Sequence, residues 1–449
     1  MKIYEQSLSG WGRYPVLNCK TTDVFYPLND ITSFHEQHSF TLRGLGRSYG
    51  DASLGTDNSL VIQTQGLNKM LSFDKKSGVI SALAGVTLEE IIETVVPHGW
   101  FLPVCPGTRF VTLGGAVASN IHGKNHHHTG AINRFVQELE IITEKGPCIC
   151  SPSKNTDLLN ATCGGLGQTG FIQSVTLNLK KIETAYIKAR LIKVKNFEEA
   201  IHVSKDLDSQ YEHAVAWLDG IAKGSHMGRG ILMLGNHAEL CNLPDSKKKH
   251  PLKNEWKRIW TLPPVFPEWL LNSTHVGLFN SAYYHKMIGN EQNHLLNFET
   301  WFFPLDILSN WNRLYGKKGF IQYQFVIPAE NAEKGIKQVL ECLAKNKLPY
   351  FLAVLKRVRE DNVSLPFAVP GFTLALDISL KYSHVFNVLN ELDSLVLDNG
   401  GRLYLTKDAR LSPATFRKMV PEYESWVHVV RKYNPNKKFA SLLSKRLEM

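Results

Sequence analysis

Three glycines fall within the segment Arg43–Asp51, which reads RGLGRSYGD. Because glycine has no Cβ, the backbone here can turn tightly and present its N–H groups to an anion. Such a cluster of N–H groups suits a pyrophosphate, and the alternative interpretation is an ordinary glycine-rich hairpin loop. The segment is therefore a candidate phosphate-binding loop.

A second glycine-rich segment spans residues 106–128 and reads PGTRFVTLGGAVASNIHGKNHHH. Gly107 and the pair Gly114–Gly115 allow close approach to the backbone, and small residues follow, as expected where a flat ligand lies against the chain. Four histidines invite a metal interpretation, but a glycine separates His122 from His126 and no carboxylate is nearby in the sequence. We therefore predict no metal site and expect His122 to contact a cofactor.

Two further segments place glycine or charge beside a strand pattern. Residues 163–170 contain GxGxxG but lead into an alternating strand pattern at Phe171 instead of a helix, so a Rossmann-type NAD site is not expected. Near the C-terminus, a strand pattern ends at Lys407-Asp408-Ala409-Arg410. A cation there could stabilise an anionic cofactor or a developing alkoxide, and a surface ion pair is the alternative.

Short strands and amphipathic helices must position these segments. The first part of the chain predicts strands at 59–63, 78–84, 135–143 and 171–179, and a helix at 88–96. The middle predicts strands at 186–194, 320–327, 351–357 and 371–380, and helices at 196–206, 329–346 and 383–399. This order indicates an α+β fold with helices packed on a mainly antiparallel sheet.

Composition narrows the class of protein. The 449 residues include 43% hydrophobic residues, so the chain can bury a substantial core, and no apolar run reaches the ~18 residues of a membrane span. The N-terminus lacks a signal-peptide pattern. Seven cysteines with no CxxC pair exclude a disulfide scaffold and a cysteine zinc site, and favour a reducing, cytoplasmic compartment.

The net charge is +10, and the basic residues are spread along the chain except for a cluster in the stretch Lys247–Trp269, where Trp256 and Trp260 are interleaved with basic residues. Basic residues beside tryptophans suit an anionic membrane surface. The alternative is a solvated loop with two half-buried tryptophans. Aromatic-basic nucleic-acid motifs are absent, so no nucleic-acid partner is expected.

Taken together and in this order, the segments resemble the FAD-dependent oxidoreductases of the vanillyl-alcohol-oxidase type, with their PCMH-type FAD domain. Within that family the chain is similar to the flavoprotein subunits of decaprenylphosphoryl-ribose 2-epimerases. The resemblance covers nearly the whole chain and rests on RSYGD (47–51), PGTR (106–109), IHGKNHH (121–127), AWLD (216–219), GFIQYQFVIP (319–328), FLAVLK (351–356), RLYLTKDAR (402–410) and FAS (439–441).

The resemblance implies three units. Residues 1–184 would form a two-part PCMH-type FAD-binding domain, 185–400 a substrate-binding cap domain, and 401–449 a segment that returns to the FAD domain. The residues implied to hold FAD are Arg43, Gly44, Leu45, Gly46, Arg47, Ser48, Tyr49, Gly50, Asp51, Gly107, Thr112, Leu113, Gly114, Gly115, Ser119, Asn120, Ile121, His122, Ile172 and Tyr404.

The active site that the resemblance implies centres on Lys407, beside the flavin ring and the substrate. Tyr49 and His122 are the other candidates for the catalytic base, and the sequence does not choose among the three. The substrate pocket would be lined by Trp217, Phe302, Gln322, Gln324, Lys356, Ala375 and Lys407.

Three positions depart from the patterns of related enzymes. Ala375 stands where the mycobacterial enzyme carries a cysteine, and Phe302 stands where an active-site tyrosine is expected. Arg47 stands where related lactone oxidases carry a flavin-linking histidine. We therefore expect FAD to be bound non-covalently and the polarity of the pocket to differ from that of the mycobacterial enzyme.

The implied reaction is oxidation of a sugar secondary alcohol to a keto sugar, with hydride transfer to flavin N5 and the hydroxyl proton taken by a base. The implied substrate is the 2-hydroxyl of a polyprenylphosphoryl ribose. An NAD(P)H-dependent short-chain ketoreductase would complete a 2-epimerisation in cell-wall or glycan biosynthesis, and a quinone or O₂ would accept the electrons. Peripheral contact with the inner face of the membrane would explain the basic stretch.

Two alternatives stay open at this point. One is an aldonolactone- or alditol-type FAD oxidase that acts on a soluble sugar, against which Arg47 counts. The other is a non-catalytic lipid-phosphate binder, which the net charge of +10 would suit.

Overall fold

The computed structural model describes residues 2–27, 39–57, 59–254, 260–263 and 272–449. Their strands form three main sheets of four, five and eight strands, with helices on the outer faces. This is the α+β architecture that the sequence predicts. Among the helices of the described residues, none combines the length and the apolar character that a membrane crossing requires.

The four-stranded sheet contains β1 (Tyr4–Ser9), β2 (Val16–Phe25), β3 (Ser39–Arg43) and β4 (Ser59–Gly66). Its strand order is β1-β2-β4-β3, with β1 antiparallel to β2 and both β2 and β3 parallel to β4. The candidate loop Arg43–Asp51 leaves this sheet at the end of β3, so the strand fixes where the glycines begin.

The five-stranded sheet has the order β5-β6-β10-β8-β9 and is antiparallel throughout, with β5 (Met70–Asp74), β6 (Val79–Leu83), β8 (Val136–Thr143), β9 (Gly146–Cys150) and β10 (Phe171–Asn178). A small two-stranded sheet pairs β7 (Trp100–Phe101) with β11 (Lys180–Lys181). The helices of this region are α1 (Leu88–Val95), α2 (Leu113–Ala118), α3 (His126–Thr129) and α4 (Thr156–Thr162).

Helix α1 begins where the sequence predicts, and for the predicted reason. The Thr87 side chain accepts a hydrogen bond from the Glu90 backbone N–H, and the Glu90 carboxylate accepts one from the Thr87 backbone N–H. Such a capping box stabilises a helix by ~1 kcal/mol. The apolar side chains at helical spacing are all buried: Leu88, Ile91, Ile92 and Val95.

The eight-stranded sheet has the order β16-β12-β14-β13-β19-β20-β18-β21 and every pairing in it is antiparallel. Its strands are β12 (Tyr186–Val194), β13 (His213–Leu218), β14 (Gly230–His237), β16 (Glu291–Asn297), β18 (Phe320–Pro328), β19 (Tyr350–Val358), β20 (Gly371–Ser379) and β21 (Arg402–Leu403). The predicted strands of the middle region all lie in this sheet.

The two faces of this sheet have different chemistry because side chains alternate along a strand. One face carries apolar side chains such as Phe325, Leu374 and Leu355, which pack under α5 (Phe197–Leu207), α9 (Ala332–Lys345) and α10 (Val385–Asp398). The register places the polar side chains of three neighbouring strands together on the other face: Gln322, Gln324, Lys356, Thr373 and Asp377.

The remaining short elements lie around these sheets. They are α6 (Asp245–Lys248), β15 (Trp260–Thr261), α7 (Ser273–Lys286), α8 (Phe298–Phe302), β17 (Leu308–Ser309), α11 (Pro413–Met419), α12 (Tyr423–Tyr433) and α13 (Leu442–Arg446). β15 pairs in parallel with β17.

The end of the chain comes back to the first sheet. Phe40 in β3 forms a parallel bridge with Phe439, and the Phe40 backbone N–H donates to the carbonyl of Lys438. Residues 402–403 also add β21 to the edge of the large sheet. The segment 401–449 therefore touches both sheets, while the boundaries predicted at 184/185 and 400/401 stay a prediction.

Candidate active site

Three neighbouring strands build the floor of the site. Gln322 of β18 lies opposite Asp377 of β20, and Gln324 lies opposite Ala375. Lys356 of β19 lies opposite Thr373. Since all these side chains share one face, the sheet holds two amides, a carboxylate and an ammonium group within reach of each other.

Lys407 reaches this floor from the segment that follows β21. Its Nζ lies 3.5 Å from the centroid of the Tyr49 ring, so the glycine-rich loop and the C-terminal segment meet at this contact. Burial lowers the pKa of Lys407 to about 7, with Lys356 acting in the same direction and Asp377 opposing it. An amine with such a pKa can accept a proton near neutral pH.

Asp377 was not among the site residues predicted from the sequence. Its carboxylate accepts hydrogen bonds from Gln322 Nε2 at 2.6 Å and from Tyr315 Oη at 3.3 Å. Burial raises the pKa of Asp377 to about 7, against the opposing effects of Gln322 and Lys407. A signal for it exists in the sequence. Asp377 lies two residues after Ala375 in the strand Gly371–Ser379, so both side chains point to the same face, and Ala375 is already a predicted pocket residue.

His122 faces the same floor from the second glycine-rich segment. Gln324 Nε2 lies 2.9 Å from His122 Nε2, and the imidazole stacks on Phe367 at a centroid distance of 5.5 Å. Burial, together with the nearby Lys356, holds the pKa of His122 well below its usual range. The imidazole is therefore neutral at pH 7 and is a polar contact more than a base.

Partly buried lysines give the site a positive character. Burial lowers the pKa of Lys356 to about 8 and that of Lys124 to about 7. Lys124 Nζ donates to the carbonyl of Trp301 and lies 4.5 Å from the centroid of a ring of the same residue. Together with Lys407, these residues give the site several basic side chains, which favours an anionic ligand.

The glycines of the two predicted cofactor segments allow those segments to pack closely. A Cβ on Gly50 would lie 1.7 Å from the carbonyl oxygen of Asp408, and one on Gly44 would lie 2.2 Å from Thr112 Oγ1. Thr112 in turn caps α2 by accepting from the Gly115 backbone N–H. The first loop therefore sits directly between the start of α2 and the Lys407 segment.

A solvent-open cleft of about 390 Å³ borders three of the predicted FAD residues, Ser119, Asn120 and Tyr404. Tyr404 Oη donates to the Ser119 carbonyl at 2.6 Å. The Asn120 side-chain nitrogen is buried and has no hydrogen-bond partner among the described residues. A Cβ on Gly107 would meet nothing within 4 Å. The unused donor of Asn120 and the uncovered backbone at Gly107 are compatible with a polar ligand beside these two segments.

Other predicted cofactor residues serve the loop itself. Arg43 donates to the Ser9 carbonyl and to Ser53 Oγ, and the Arg47 guanidinium lies 4.1 Å from the centroid of the Trp11 ring. Leu113, Ile121 and Ile172 are buried in the core of the five-stranded region. The same two segments also contain Leu45, Gly46, Ser48, Asp51 and Gly114. The contact of these residues with FAD stays a prediction.

Two predicted pocket residues make their ring contacts with other aromatic side chains. Trp217 lies opposite Val354, which lies opposite Ala375, so its side chain shares the face of the floor, and its ring lies 4.7 Å from that of Tyr283. Phe302 stacks on Phe101 at 5.3 Å and meets the His213 ring edge-on at 5.0 Å. Their share in the substrate pocket stays a prediction.

One group in the described part of the chain has the spacing of a metal site, namely Glu212, His213 and His237. These are not the histidines, His122 and His126–His128, for which the sequence analysis considered a metal site. The ammonium group of Lys180 already contacts the Glu212 carboxylate, and a cation in that place competes with a metal ion. We therefore make no metal proposal there.

Comparison with known proteins agrees with this geometry. The FAD binding domain family matches residues 32–150, which contain both glycine-rich segments. The decaprenylphosphoryl-β-D-ribose oxidase of Mycolicibacterium smegmatis is 35% identical to this chain, over 98% of this chain and 97% of its own length. The chain belongs to the decaprenylphosphoryl-β-D-ribose oxidase family. It is an FAD-dependent oxidoreductase, so the family and cofactor predicted from the motifs are confirmed.

More distant relatives cover less of this oxidase-family chain. An uncharacterized protein of Streptomyces coelicolor is 27% identical over 81% of this chain and 100% of its own length. L-Gulonolactone oxidase of Mus musculus is 24% identical over 33% of this chain and 34% of its own length. The similarity to the lactone oxidase is thus confined to about a third of the chain. An enzymatic role also replaces the alternative of a non-catalytic lipid-phosphate binder.

Proposed function

We propose that this chain oxidises the 2-hydroxyl of a polyprenylphosphoryl ribose to a ketone, as the first half of a 2-epimerisation. The full-length similarity to an enzyme named decaprenylphosphoryl-β-D-ribose oxidase supports the substrate class. The observation that carries the chemistry is the position of the Lys407 amine at the polar floor of the large sheet, 3.5 Å from the centroid of the Tyr49 ring, with a pKa lowered to about 7.

Bound FAD supplies the acceptor for the two electrons that leave the carbinol carbon as a hydride. The residues proposed to hold it come mainly from 1–184, whereas the floor is supplied by 185–400 and the base by 401–449. The segments Arg43–Asp51 and Thr112–His122 would contact the phosphates and the ring.

Lys407 is our choice for the base that takes the hydroxyl proton. Burial raises the pKa of the Tyr49 phenol well above its usual value, so that group stays protonated. The pKa of His122 is held well below its usual range, so its imidazole is a weak base. Of the three candidates, Lys407 alone is balanced between its two protonation states near neutral pH.

The other side chains of the floor would orient the sugar. Gln322 and Gln324 offer amide groups on adjacent alternate positions of β18. Lys356 supplies a partly buried cation suited to the phosphodiester or to the developing alkoxide. Ala375 leaves more room, and no thiol, at the position between Gln324 and Val354.

Partners follow from the product and from the cofactor. A ketoreductase that uses NAD(P)H would return the ketone to the opposite alcohol, and a quinone or O₂ would reoxidise the flavin. Peripheral contact with the inner face of the membrane would bring the enzyme to a lipid-linked substrate. Of the basic stretch behind this proposal, Trp256 and Trp269 lie outside the described residues, while Trp260 is 64% exposed.

The test is anaerobic bleaching of the flavin absorbance by candidate substrates. Wild-type protein should be yellow, should release its flavin on denaturation, and should be bleached by a polyprenylphosphoryl ribose but not by an aldonolactone. Lys407→Ala should keep FAD and lose bleaching by at least ~100-fold, the scale of a missing general base. Near-normal reduction in that variant would remove Lys407 from the mechanism, and bleaching by a soluble sugar alone would favour the aldonolactone- or alditol-type oxidase.

Lys407→Arg is the matched variant. Arginine keeps a cation above Tyr49 but stays protonated at every accessible pH. If Lys407 acts as the base, both variants are slow. If only its charge matters, Lys407→Arg reduces the flavin and Lys407→Ala does not.

A further inference from the structure

Helix α7 presents its apolar side chains to the solvent. Leu278 is 65% exposed, Phe279 57% and Tyr283 37%, and Ile288 just beyond the helix is 83% exposed. A surface helix ordinarily turns such residues to the core and its polar residues outward. The side chains of α7 that are buried are Val276 and the polar Asn280. We call these four exposed residues, Leu278, Phe279, Tyr283 and Ile288, the apolar stripe. Packing within the described residues does not explain their exposure.

The orientation of α7 is fixed by polar contacts. Asn280 donates to Asp219 Oδ1 at 2.8 Å, and Asp219 also accepts from Arg229 Nε at 3.0 Å. Asp219 is 1% exposed, so this is a buried anchor beneath the helix. Because the anchor sets which side of α7 faces inward, the outward apolar stripe is a property of the fold.

Aromatic rings connect the stripe to the floor of the active site. Phe279 and Tyr283 stack with centroids 6.3 Å apart, and Tyr283 lies 4.7 Å from Trp217. Phe279 lies 6.2 Å from Phe351, and Phe351 lies 6.1 Å from Tyr315. Tyr315 donates to Asp377 in the floor. A cleft of about 270 Å³ opens along this path, between the start of α7 and Asp377.

We propose that this stripe binds the isoprenoid chain of the lipid-linked substrate and leads its sugar-phosphate end toward Lys407; the inference rests on the proposed function. An isoprenoid chain is apolar and narrow, and it needs no hydrogen-bonding partners. On α7 the stripe runs from Leu278 to Tyr283, about 7.5 Å of the helix axis at 1.5 Å per residue, and Ile288 extends it beyond the helix end. With this length the stripe suits the first isoprene units of the chain. Its continuity with the floor favours a substrate chain over a second protein.

The experiment compares substrates that differ only in chain length. Farnesylphosphoryl ribose and an analogue with a single isoprene unit are assayed by flavin reduction, with Leu278→Gln and Phe279→Gln. We expect each variant to lose about tenfold in kcat/KM for the farnesyl substrate, since each removes apolar contact area, and to keep the short-chain value within about twofold. Leu71→Gln, on a distant strand where Leu71 is 41% exposed, is the matched control and should change neither.

Several results would overturn the inference. Equal losses on both substrates would make α7 a support of the pocket, and an unchanged farnesyl substrate would leave the stripe without a role in binding. If a variant binds lipid vesicles more weakly than wild type but keeps its kcat/KM for the farnesyl substrate, the stripe contacts a bilayer instead. If neither ribose substrate reduces the wild-type flavin, the proposed function fails. Binding of the chain is then tested separately, by the change in tryptophan fluorescence on adding farnesyl phosphate or isopentenyl phosphate to wild type and to Phe279→Gln. Tighter binding of farnesyl phosphate that is lost in Phe279→Gln would still place the chain on α7.

Discussion

At the scale of single residues, the site depends on burying charges whose partners are few. Lys407, Lys356 and Lys124 all have lowered pKa values because burial disfavours their ammonium forms. Asp377 is the carboxylate that opposes this effect at Lys407. A protein tolerates such a group where its reactivity is useful, since strongly shifted pKa values cluster at functional sites.

The pH dependence of flavin reduction tests this arrangement. The active form of Lys407 is the neutral amine, which is lost as the pH falls through its pKa of about 7. We expect kcat/KM to level off above pH 7 and to fall about tenfold for each pH unit well below it.

The Asp377→Asn substitution should shift the pH profile of flavin reduction in a defined direction. Asparagine can still accept from Gln322, but it removes the negative charge that favours protonated Lys407. The midpoint of the profile should therefore move to lower pH. A midpoint that does not move, or that moves upward, would contradict the assignment of the titration to Lys407.

At the scale of elements, close packing between segments matters more than any one hydrogen bond. The loop Arg43–Asp51 lies between α2 and the Lys407 segment because two of its glycines leave no space for a side chain. Asp408, which meets Gly50, also accepts from the backbone N–H of Arg410 and of Leu411. The backbone that carries Lys407 is thus held on both sides.

Two glycine substitutions separate packing from cofactor contact. Gly50→Ala places a Cβ 1.7 Å from a carbonyl oxygen and should cost ~1–3 kcal/mol of unfolding free energy, measured by urea titration of the flavin-free protein. Gly107→Ala meets nothing within 4 Å and should leave that free energy within ~1 kcal/mol of wild type.

The FAD affinity of the Gly50→Ala and Gly107→Ala variants is the second measurement. If Gly107 lies against the cofactor as predicted, its alanine variant should bind FAD more weakly although its fold is intact. Unchanged affinity would remove Gly107 from the cofactor site, and an unchanged stability of Gly50→Ala would show that the loop is not packed as described.

At the scale of the whole molecule, the two ends of the sequence are joined by ion pairs. Arg446 donates to both carboxylate oxygens of Asp51, at 2.8 and 2.9 Å, and lies 2.9 Å from Asp408 Oδ2. Asp51 is 1% exposed and Asp408 6%. Arg446 therefore compensates two buried carboxylates, one from the glycine-rich loop and one from the Lys407 segment.

Removing this guanidinium should weaken the whole assembly. Arg446→Met leaves two carboxylates buried and facing each other, and we expect a loss of ~3 kcal/mol in unfolding free energy, with weaker FAD binding. Lys445→Met is the control, because the side chain of Lys445 is 62% exposed and pairs with an exposed aspartate at 3.8 Å. Urea titrations with similar values for the two variants would contradict a structural role for Arg446.

The sequence by itself was informative where local physics is sufficient. Four strands and three helices of the middle region follow from periodicity, and the start of α1 follows from its capping residues, whereas β13, β14, β16 and α7 were not predicted. The motifs also indicated the family and FAD. Asp377 was missed because a single acid in an apolar strand resembles a tolerated core residue until its neighbours are known.

Only the tertiary structure decided which of these residues meet. The register of β18, β19 and β20 sets Gln322, Lys356 and Asp377 on one face, and strand pairing over such sequence distances leaves no signal in any one segment. The outward stripe of α7 is likewise invisible in the sequence, since its direction depends on the buried contact between Asn280 and Asp219. The resemblance of the sequence motifs to a known family indicated the cofactor and the chemistry, whereas burial and register decided the pKa values and the shape of the site.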